Sequence, residues 1–361
     1  MAKQLLPNGS VVTLKGATKK LMTIGIEVEM EGDEKTYDYI AIPYPEGYID
    51  SETMFLFMQE DIENVSFVGF VDAEMQVFRT ALEETDENDA EKESDIYLAR
   101  NRSIMRISAA CSCHIGKRRK NNEDNFFFAG RYMASCNNGL GSILEKNFPL
   151  KKDRFFAVFD GMGGGEYGEI ASYMGAKATE EYLNAEEADD IAGKKGYLEK
   201  MCTHVNDRIF KETLRLDAEM MGSTLAGLYF TGNQVWTVNV GDSRCFLLRD
   251  GKLRQISEDQ TDEAYMKENG IQGRKPYLTQ YMGMNPEEVR VLPYMDCLQT
   301  KRGDRFLICS DGVSDMVPVD FLETMMQQTQ STAKCVDAIL TAALDAGGKD
   351  NITAIVLEIN R

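Results

Sequence analysis

The stretch FFAVFDGMGGGEYGEIAS, residues 155–172, decides how the chain is interpreted. An apolar run typical of a buried β-strand stops at Asp160, glycine fills four of the next five positions, and a helical pattern begins soon afterwards. Asp-Gly is a common turn signal. A loop almost without side chains also lets a charged group approach the backbone closely. The stretch is therefore either an ordinary turn or part of a site.

The same pattern of an apolar strand next to a carboxylate recurs along the chain. RFLICSDGVSD leads a strand into Asp311, QVWTVNVGDSR leads one into Asp242, and Asp350 stands just before the apolar run ITAIVLEI. In an antiparallel sheet, the start of one strand lies beside the ends of its neighbours. We therefore expect Asp160, Asp311 and Asp350 to gather at one end of a sheet structure.

A cluster of this kind has an electrostatic consequence. Glu123 and Asp124 precede a further strand and are expected to join it. Two unit charges about 5 Å apart repel by roughly 3 kcal/mol at an effective dielectric constant near 20, so a bare cluster raises its own pKa values or spreads apart. All-oxygen ligands suit Mg²⁺ or Mn²⁺, and Gly161 leaves room for a main-chain carbonyl ligand. The spacing predicts a divalent metal site.

A third Asp-Gly pair serves as an internal control. In LLRDGKLRQI, apolar residues flank Asp250 and Gly251 on both sides. This pattern is typical of a two-residue hairpin turn. An Asp-Gly pair alone therefore does not indicate a site.

The acidic stretch EETDENDAEKESD marks the main division of the chain. Its composition cannot bury enough apolar area to order itself and is typical of a solvated linker. We predict a small, mainly-β N-terminal domain over 1–82, an acidic linker over 83–98 and a large domain over 99–361. Alternation in LMTIGIEVEM indicates a half-buried strand, KGATKK indicates a hairpin turn, and DAEMQVFRTALEE predicts a helix over 72–84.

In the large domain, many strands accompany a few long helices. The predicted strands are 106–114, 126–129, 155–159, 224–230, 234–240, 244–249, 305–309 and 352–359. The predicted helices are 166–184, 196–215, 261–269, 318–329 and 332–346. The pattern favours an α+β fold, an antiparallel β-sandwich flanked by helices, over a parallel sheet.

Composition and charge exclude several partners. The 361 residues carry a formal net charge of −19, which repels nucleic acids and anionic membranes. No apolar run reaches the ~20 residues that span a bilayer. The eight cysteines are scattered, so we expect a reduced, cytoplasmic protein. CSCH at 111–114 is either a pair of buried thiols or part of a zinc site, and buried thiols are favoured because no second ligand pair lies nearby.

The ordered blocks GKRRKNNED, FDGMGGGEYGE, GSTLAGL, NVGDSR, LICSDGVSD and DNITAIV resemble the bacterial metal-dependent protein phosphatases of type 2C. The resemblance covers about 105–361. It implies two Mn²⁺ or Mg²⁺ ions at one end of the β-sandwich, with Asp160 bridging both. The other ligands it implies are Gly161 through its carbonyl, Asp311 and Asp350 on one ion, and Glu123 and Asp124 on the second.

The resemblance also assigns the surroundings of the two ions. Asp242 matches a position associated, with Asp311, with a third and weaker ion. Arg119 matches the arginine that grips the substrate phosphate, although a solvated basic patch over 117–120 is the alternative. Met162 stands where many eukaryotic members have a histidine proposed as general acid. The segment 258–287, where bacterial members carry a flap, is shortened here and has Asp-Gln in place of the usual Asp-His pair.

The implied activity is hydrolysis of phosphoserine and phosphothreonine in phosphorylated proteins by a metal-bridging hydroxide. The rival hypothesis is a catalytically silent scaffold or interaction protein of a secretion system. Residues 1–80 resemble a small uncharacterised domain that accompanies type VII secretion genes of Gram-positive bacteria. This resemblance implies that residues 1–82 bind a partner, such as a secretion-system component or a kinase.

Overall fold

The computed structural model describes residues 5–29, 36–49, 53–69, 105–150, 152–162, 167–185 and 193–360. The chain divides into two compact units, Met1–Ala99 and Arg100–Arg361. The predicted linker over 83–98 and the predicted helix over 72–84 lie outside the described residues. Among the described helices, none combines the length and the apolar character that crossing a bilayer requires.

The N-terminal unit contains one antiparallel sheet, with strand order β4-β3-β2-β1-β5. Its strands are β1 Val11–Leu14, β2 Lys20–Glu29, β3 Thr36–Tyr44, β4 Phe55–Phe57 and β5 Ile62–Phe67. Val12, Leu21, Tyr39 and Phe57 form the centre of its core. The hairpin predicted at KGATKK joins β1 to β2, and the prediction of a mainly-β unit is confirmed.

The second unit carries the remaining elements. Its strands are β6 Arg106–His114, β7 Asp124–Phe128, β8 Leu144–Pro149, β9 Arg154–Met162, β10 Gly222–Ser223, β11 Leu225–Thr231, β12 Gln234–Val240, β13 Arg244–Arg249, β14 Lys252–Gln255, β15 Tyr294–Gln299, β16 Arg305–Cys309 and β17 Ile352–Asn360. Its helices are α1 Gly168–Ala185, α2 Lys194–Arg215, α3 Glu263–Glu268, α4 Asp311–Ser314, α5 Val319–Gln328 and α6 Thr332–Asp345.

These strands form two antiparallel sheets packed face to face. The first sheet has the order β10-β9-β11-β12-β15, with β7 also paired to β9. The second has the order β14-β13-β16-β17-β6-β8. Alternate residues of each strand enter the core between the sheets, among them Cys111, Phe156, Leu228 and Ile308. The predicted antiparallel α+β sandwich is confirmed.

Helices cover both outer faces of the sandwich. Met174 of α1 and Leu198 of α2 pack against Phe155 and Phe159 on the first sheet. On the second sheet, α5 and α6 pack in the same manner over residues such as Leu307 and Val356. Because strands buried on both faces need apolar residues at nearly every position, they read as continuous apolar runs in the sequence.

The structure corrects the prediction that the strand at 155–159 ends at Asp160. Strand β9 continues through Gly161 to Met162 and pairs there with β10. Edge strands β8 and β15 were not predicted, because their half-exposed sequences lack a clean apolar run. Asp250 and Gly251 form the predicted two-residue turn, both with positive φ, between the paired strands β13 and β14.

Candidate active site

The strand ends bring the predicted carboxylates together. Asp124, at the start of β7, is the register partner of Asp160 in β9. The end of β16 before Asp311 lies beside the start of β17 after Asp350, since Cys309 pairs with Ala354. Antiparallel pairing therefore places these positions at the same end of the sandwich, as the sequence predicted.

Glycine follows aspartate here because two backbones cross closely. A Cβ atom on Gly161 would lie 1.9 Å from the carbonyl oxygen of Gly168 and 2.6 Å from that of Glu123. A Cβ atom on Gly312 would lie 1.8 Å from the carbonyl oxygen of Asn351. All three distances are far below van der Waals contact, so neither glycine position accepts a side chain without backbone movement. These two Asp-Gly pairs are backbone crossings, whereas Asp250-Gly251 is a turn.

A pocket of about 440 Å³ opens at this end of the sandwich. Its lining includes seven of the eight predicted site residues: Arg119, Glu123, Asp160, Gly161, Asp242, Asp311 and Asp350. The eighth, Asp124, is 1% exposed and does not line the pocket. Met162, Thr224, Lys275, Pro276, Tyr277 and Leu278 complete the lining.

Neutral hydroxyl groups hold the buried Asp124. Its Oδ2 accepts hydrogen bonds from Ser310 Oγ at 2.7 Å and Thr353 Oγ1 at 2.6 Å. Burial raises the pKa of Asp124, and these two hydrogen bonds oppose that rise. The carboxylates of Asp311 and Asp350 raise the pKa further. Asp124 therefore sits in a satisfied but electrostatically unfavourable position.

Burial and mutual repulsion also act on the carboxylates of the pocket. Burial, followed by the carboxylates of Asp311 and Asp124, raises the pKa of Asp160 well above its usual range. Burial and Asp311 raise the pKa of Asp242 to about 6. Clustered carboxylates of this kind are stabilised by cations, and a set of hard oxygen donors fits Mg²⁺ or Mn²⁺.

Two cationic side chains of the chain itself enter the pocket. Arg119 donates to Asp350 Oδ2 at 2.7 Å and lies 3.8 Å from Glu123 Oε2. Lys275 Nζ forms ion pairs with Asp311, with Asp315 at 3.1 Å and more distantly with Asp242 at 4.0 Å. Over the described ranges, no three acidic, histidine or cysteine side chains stand close enough to enclose one ion as placed. The carboxylates line the walls, and Arg119 and Lys275 lie between them.

Several residues at this site escaped the sequence analysis. Lys275 and Asp315 surround Asp311, while Ser310 and Thr353 hold Asp124. Asn351 accepts a hydrogen bond from the Glu123 amide and donates to the carbonyls of residues 115 and 121. Ser310, Asp315, Asn351 and Thr353 all stand in two of the quoted motifs, but only Asp315 carried a usable signal, because it is a further carboxylate four residues after Asp311.

The other residues singled out by the sequence have structural positions. Cys111 and Cys113 are buried free thiols; Cys113 Sγ accepts a hydrogen bond from Asn122 and lies 3.1 Å from Thr353 Oγ1. The prediction that both thiols are buried is confirmed. His114 accepts a hydrogen bond from the Gly116 amide, and His204 packs on Tyr182. Neither histidine lines the pocket.

Comparison with known proteins identifies the family. A family model described as protein phosphatase 2C matches residues 148–346. This chain belongs to the protein phosphatase 2C family. A second model, described as a domain of unknown function (DUF4176), matches residues 5–78 in the N-terminal unit.

Named members of the family are similar to about two thirds of this chain. The serine/threonine phosphatase stp of Listeria welshimeri is 32% identical over 264 residues, covering 68% of this chain and 93% of the relative. The serine/threonine protein phosphatase PstP of Mycobacterium tuberculosis is 32% identical over 238 residues. That match covers 63% of this chain and 45% of PstP, so the chain spans less than half the length of this relative.

Solved structures of the family are similar to about 70% of this chain. The catalytic domain of PstP in complex with two manganese ions matches with a TM-score of 0.56 and 27% identity, covering 71% of this chain and all of the PstP domain. PppA, a regulatory component of the type VI secretion system in Pseudomonas aeruginosa, matches with a TM-score of 0.57 and 26% identity over 70% of this chain and 97% of PppA.

Proposed function

We propose that this chain is a metal-dependent phosphatase that hydrolyses phosphoserine and phosphothreonine in proteins. The observation that carries the proposal is the pocket that five carboxylates line at one end of the sandwich. Such a concentration of negative charge repels a phosphate group unless cations neutralise it. The named phosphatases similar to this chain, and the two manganese ions in the PstP domain, support the same conclusion.

The side chains present fit a pair of divalent cations. Every donor is a carboxylate or carbonyl oxygen. The raised pKa values of Asp160 and Asp242 reflect burial and then repulsion between carboxylates, and bound cations relieve that repulsion. When bound, such cations supply a Lewis acid and activate water for attack on phosphorus. The residues proposed to hold them are Asp160, Gly161, Asp311, Asp350, Glu123 and Asp124, with Asp242 for a third and weaker ion.

Arg119 is proposed to bind the substrate phosphate. Its guanidinium group lines the pocket beside Asp350 and Glu123, and its planar fork matches two phosphate oxygens. Because a guanidinium group stays charged at every working pH, it offsets the negative charge that accumulates on phosphorus oxygens during transfer. Asp350 and Glu123 hold it at the pocket wall before substrate arrives.

The test is hydrolysis of a phosphothreonine peptide by the full chain. With Mn²⁺ we expect release of phosphate, and with EDTA or in the Asp160→Asn variant we expect none above background. The scaffold hypothesis predicts no Mn²⁺-dependent release from any of these samples. Folded wild-type protein that binds Mn²⁺ but releases no phosphate contradicts the proposed activity.

The N-terminal domain is proposed to bind a protein partner from a secretion system or a kinase pathway, in the cytoplasm. Its own core and its exposed large apolar side chains, among them Tyr48 and Phe67, support a separate binding role. The proposed cytoplasmic location rests on the eight free cysteines of the second unit, which suit a reducing compartment. The test is chemical cross-linking of the full chain in its host cell, compared with Phe67→Ser. Identical cross-linked partners for both proteins contradict a role for this surface.

A further inference from the structure

The ammonium group of Lys275 occupies the corner of the pocket formed by Asp242, Asp311 and Asp315. It pairs with Asp311, and its distances to Asp315 and Asp242 are 3.1 and 4.0 Å. Through these contacts one cation faces three carboxylates, two of which line the pocket. A primary ammonium group is a compact positive charge. Its N–H groups donate to carboxylate oxygens, which are the same atoms that bind a metal ion.

The local structure presents Lys275 to this corner. It belongs to the flap segment, residues 258–287, whose two arms are joined by a bridge between Thr261 and Leu278. The neighbouring Arg274 turns back within the segment and forms an ion pair with Asp262, which also accepts a hydrogen bond from the Tyr277 amide. Arg274 is thus paired within the flap segment, whereas the adjacent Lys275 extends toward the carboxylates of the pocket.

We propose that Lys275 is an internal counterion that competes with a divalent cation for Asp311 and its neighbours Asp242 and Asp315. This inference rests on the proposed function, because that function supplies the divalent cation. One oxygen atom cannot contact both an ammonium group and a metal ion at full strength. Binding of the cation at this corner therefore releases Lys275, and an engaged Lys275 lowers the affinity for the cation. The position of the flap and the binding of a cation at this corner are thereby linked. The linkage is reciprocal, because each changes the other by the same free energy.

The contacts of Lys275 indicate a competing role rather than a purely structural one. The side chain of Lys275 is 53% exposed, whereas that of Asp311 is only 14% exposed. Ion pairs with such exposure contribute little to folding stability. Their effect on a cation that needs the same oxygen atoms is more direct, because the competition is for a common position. Loss of the Lys275 charge should therefore change the affinity for the divalent cation more than the folding stability.

The experiment is calorimetric titration of Mn²⁺ into EDTA-stripped full-length wild-type protein and the variants Lys275→Met and Lys275→Arg. We expect Lys275→Met to bind Mn²⁺ about tenfold more tightly at one site, a change of about 1.4 kcal/mol. Lys275→Arg keeps the charge and should stay close to wild type. The matched control is Lys267→Met, which removes an exposed lysine of the same segment that pairs only with Glu263 among the described ion pairs. It should leave the affinity unchanged.

Thermal unfolding in EDTA separates competition from a structural role. A structural role predicts that Lys275→Met lowers the unfolding temperature while Mn²⁺ affinity stays the same or weakens, and this result overturns the proposal. Tighter binding in Lys275→Met, together with no phosphate release by the wild-type protein, contradicts the proposed activity alone. Unchanged binding in an active variant contradicts the competition alone. Absence of Mn²⁺ binding in every protein contradicts both.

Discussion

Two parts of the acidic end of the sandwich offset the repulsion between their carboxylates in different ways. At the Asp124–Asp160 centre, the buried Asp124 lies opposite the half-buried Asp160, and Asp124 is held by the hydroxyl groups of Ser310 and Thr353. At the Asp311 corner, Lys275 is in direct contact. Within the described residues, no lysine or arginine forms an ion pair with Asp124 or Asp160.

The difference shows where the molecule depends on an external cation. Hydroxyl donors satisfy the hydrogen-bonding capacity of a carboxylate but do not cancel its charge. Under the proposed function, the centre retains its repulsion until a divalent cation binds, whereas Lys275 partly neutralises the carboxylates of the corner. We therefore expect effects of decreasing size for substitutions of Asp160 at the centre, of Arg119 at the pocket wall and of Thr353, which donates to Asp124.

The largest effect is expected for Asp160→Asn at the centre. Loss of a partner that only orients a metal ligand typically lowers activity ten- to a hundredfold, so loss of the proposed bridging ligand should lower turnover by at least about a hundredfold. The amide removes one of the repelling charges, so the metal-free variant should unfold at no lower temperature than wild type. Steady-state kinetics with Mn²⁺ and thermal unfolding in EDTA measure the two effects. Wild-type turnover would place the centre elsewhere.

An intermediate effect is expected for Arg119→Ala at the pocket wall. A charge-assisted contact of roughly 1.5–3 kcal/mol corresponds to about a ten- to hundredfold loss in kcat/KM. The loss should appear mainly in KM, because the contact forms in both ground and transition states. Kinetics on one phosphothreonine peptide at saturating Mn²⁺ checks this.

The neighbouring lysines provide controls for Arg119. Lys117 is exposed and forms only a long ion pair with Asp345, at 3.9 Å, among the described residues. Lys117→Ala and Lys120→Ala should therefore change kcat/KM little. Equal, small losses for all three substitutions would mean that the segment is a solvated basic patch, which was the alternative interpretation of the sequence.

The smallest effect is expected for Thr353→Val beneath the centre. The substitution keeps the shape of the side chain but removes a hydrogen bond to the buried Asp124, which should lower the free energy of unfolding by about 1–3 kcal/mol. Urea unfolding in EDTA measures it, with the exposed Thr324→Val on α5 as the matched control. A loss no greater than that of the control would show that Asp124 does not depend on this hydroxyl.

The sequence predicted the parts of the site that depend on strand ends. Asp160, Asp311 and Asp350 could be found because each stands next to an end of an apolar run, and antiparallel pairing then brings these ends together. The same reasoning separated Asp250, which lies in a hairpin turn. It placed the end of β9 too early, because a carboxylate followed by glycine is typical of a strand end. The strand β10 that pairs with the last residues of β9 is only two residues long and gives no sequence pattern of its own.

Other residues carry no local signal. Ser310 and Thr353 look like ordinary polar residues next to or within apolar strands, and they reach Asp124 from 186 and 229 residues away along the chain. Lys275 lies in an irregular segment in which no periodicity fixes the direction of a side chain. Such contacts depend on tertiary structure, and only the folded chain reveals them.

The most direct test of a cation-dependent centre is the count of Mn²⁺ ions bound by the full chain, measured by native mass spectrometry after removal of weakly bound metal. We expect two ions on the wild-type protein and a loss of bound metal in Asp160→Asn. A folded wild-type chain that retains no Mn²⁺, or an Asp160→Asn variant that retains as much as wild type, would contradict the account.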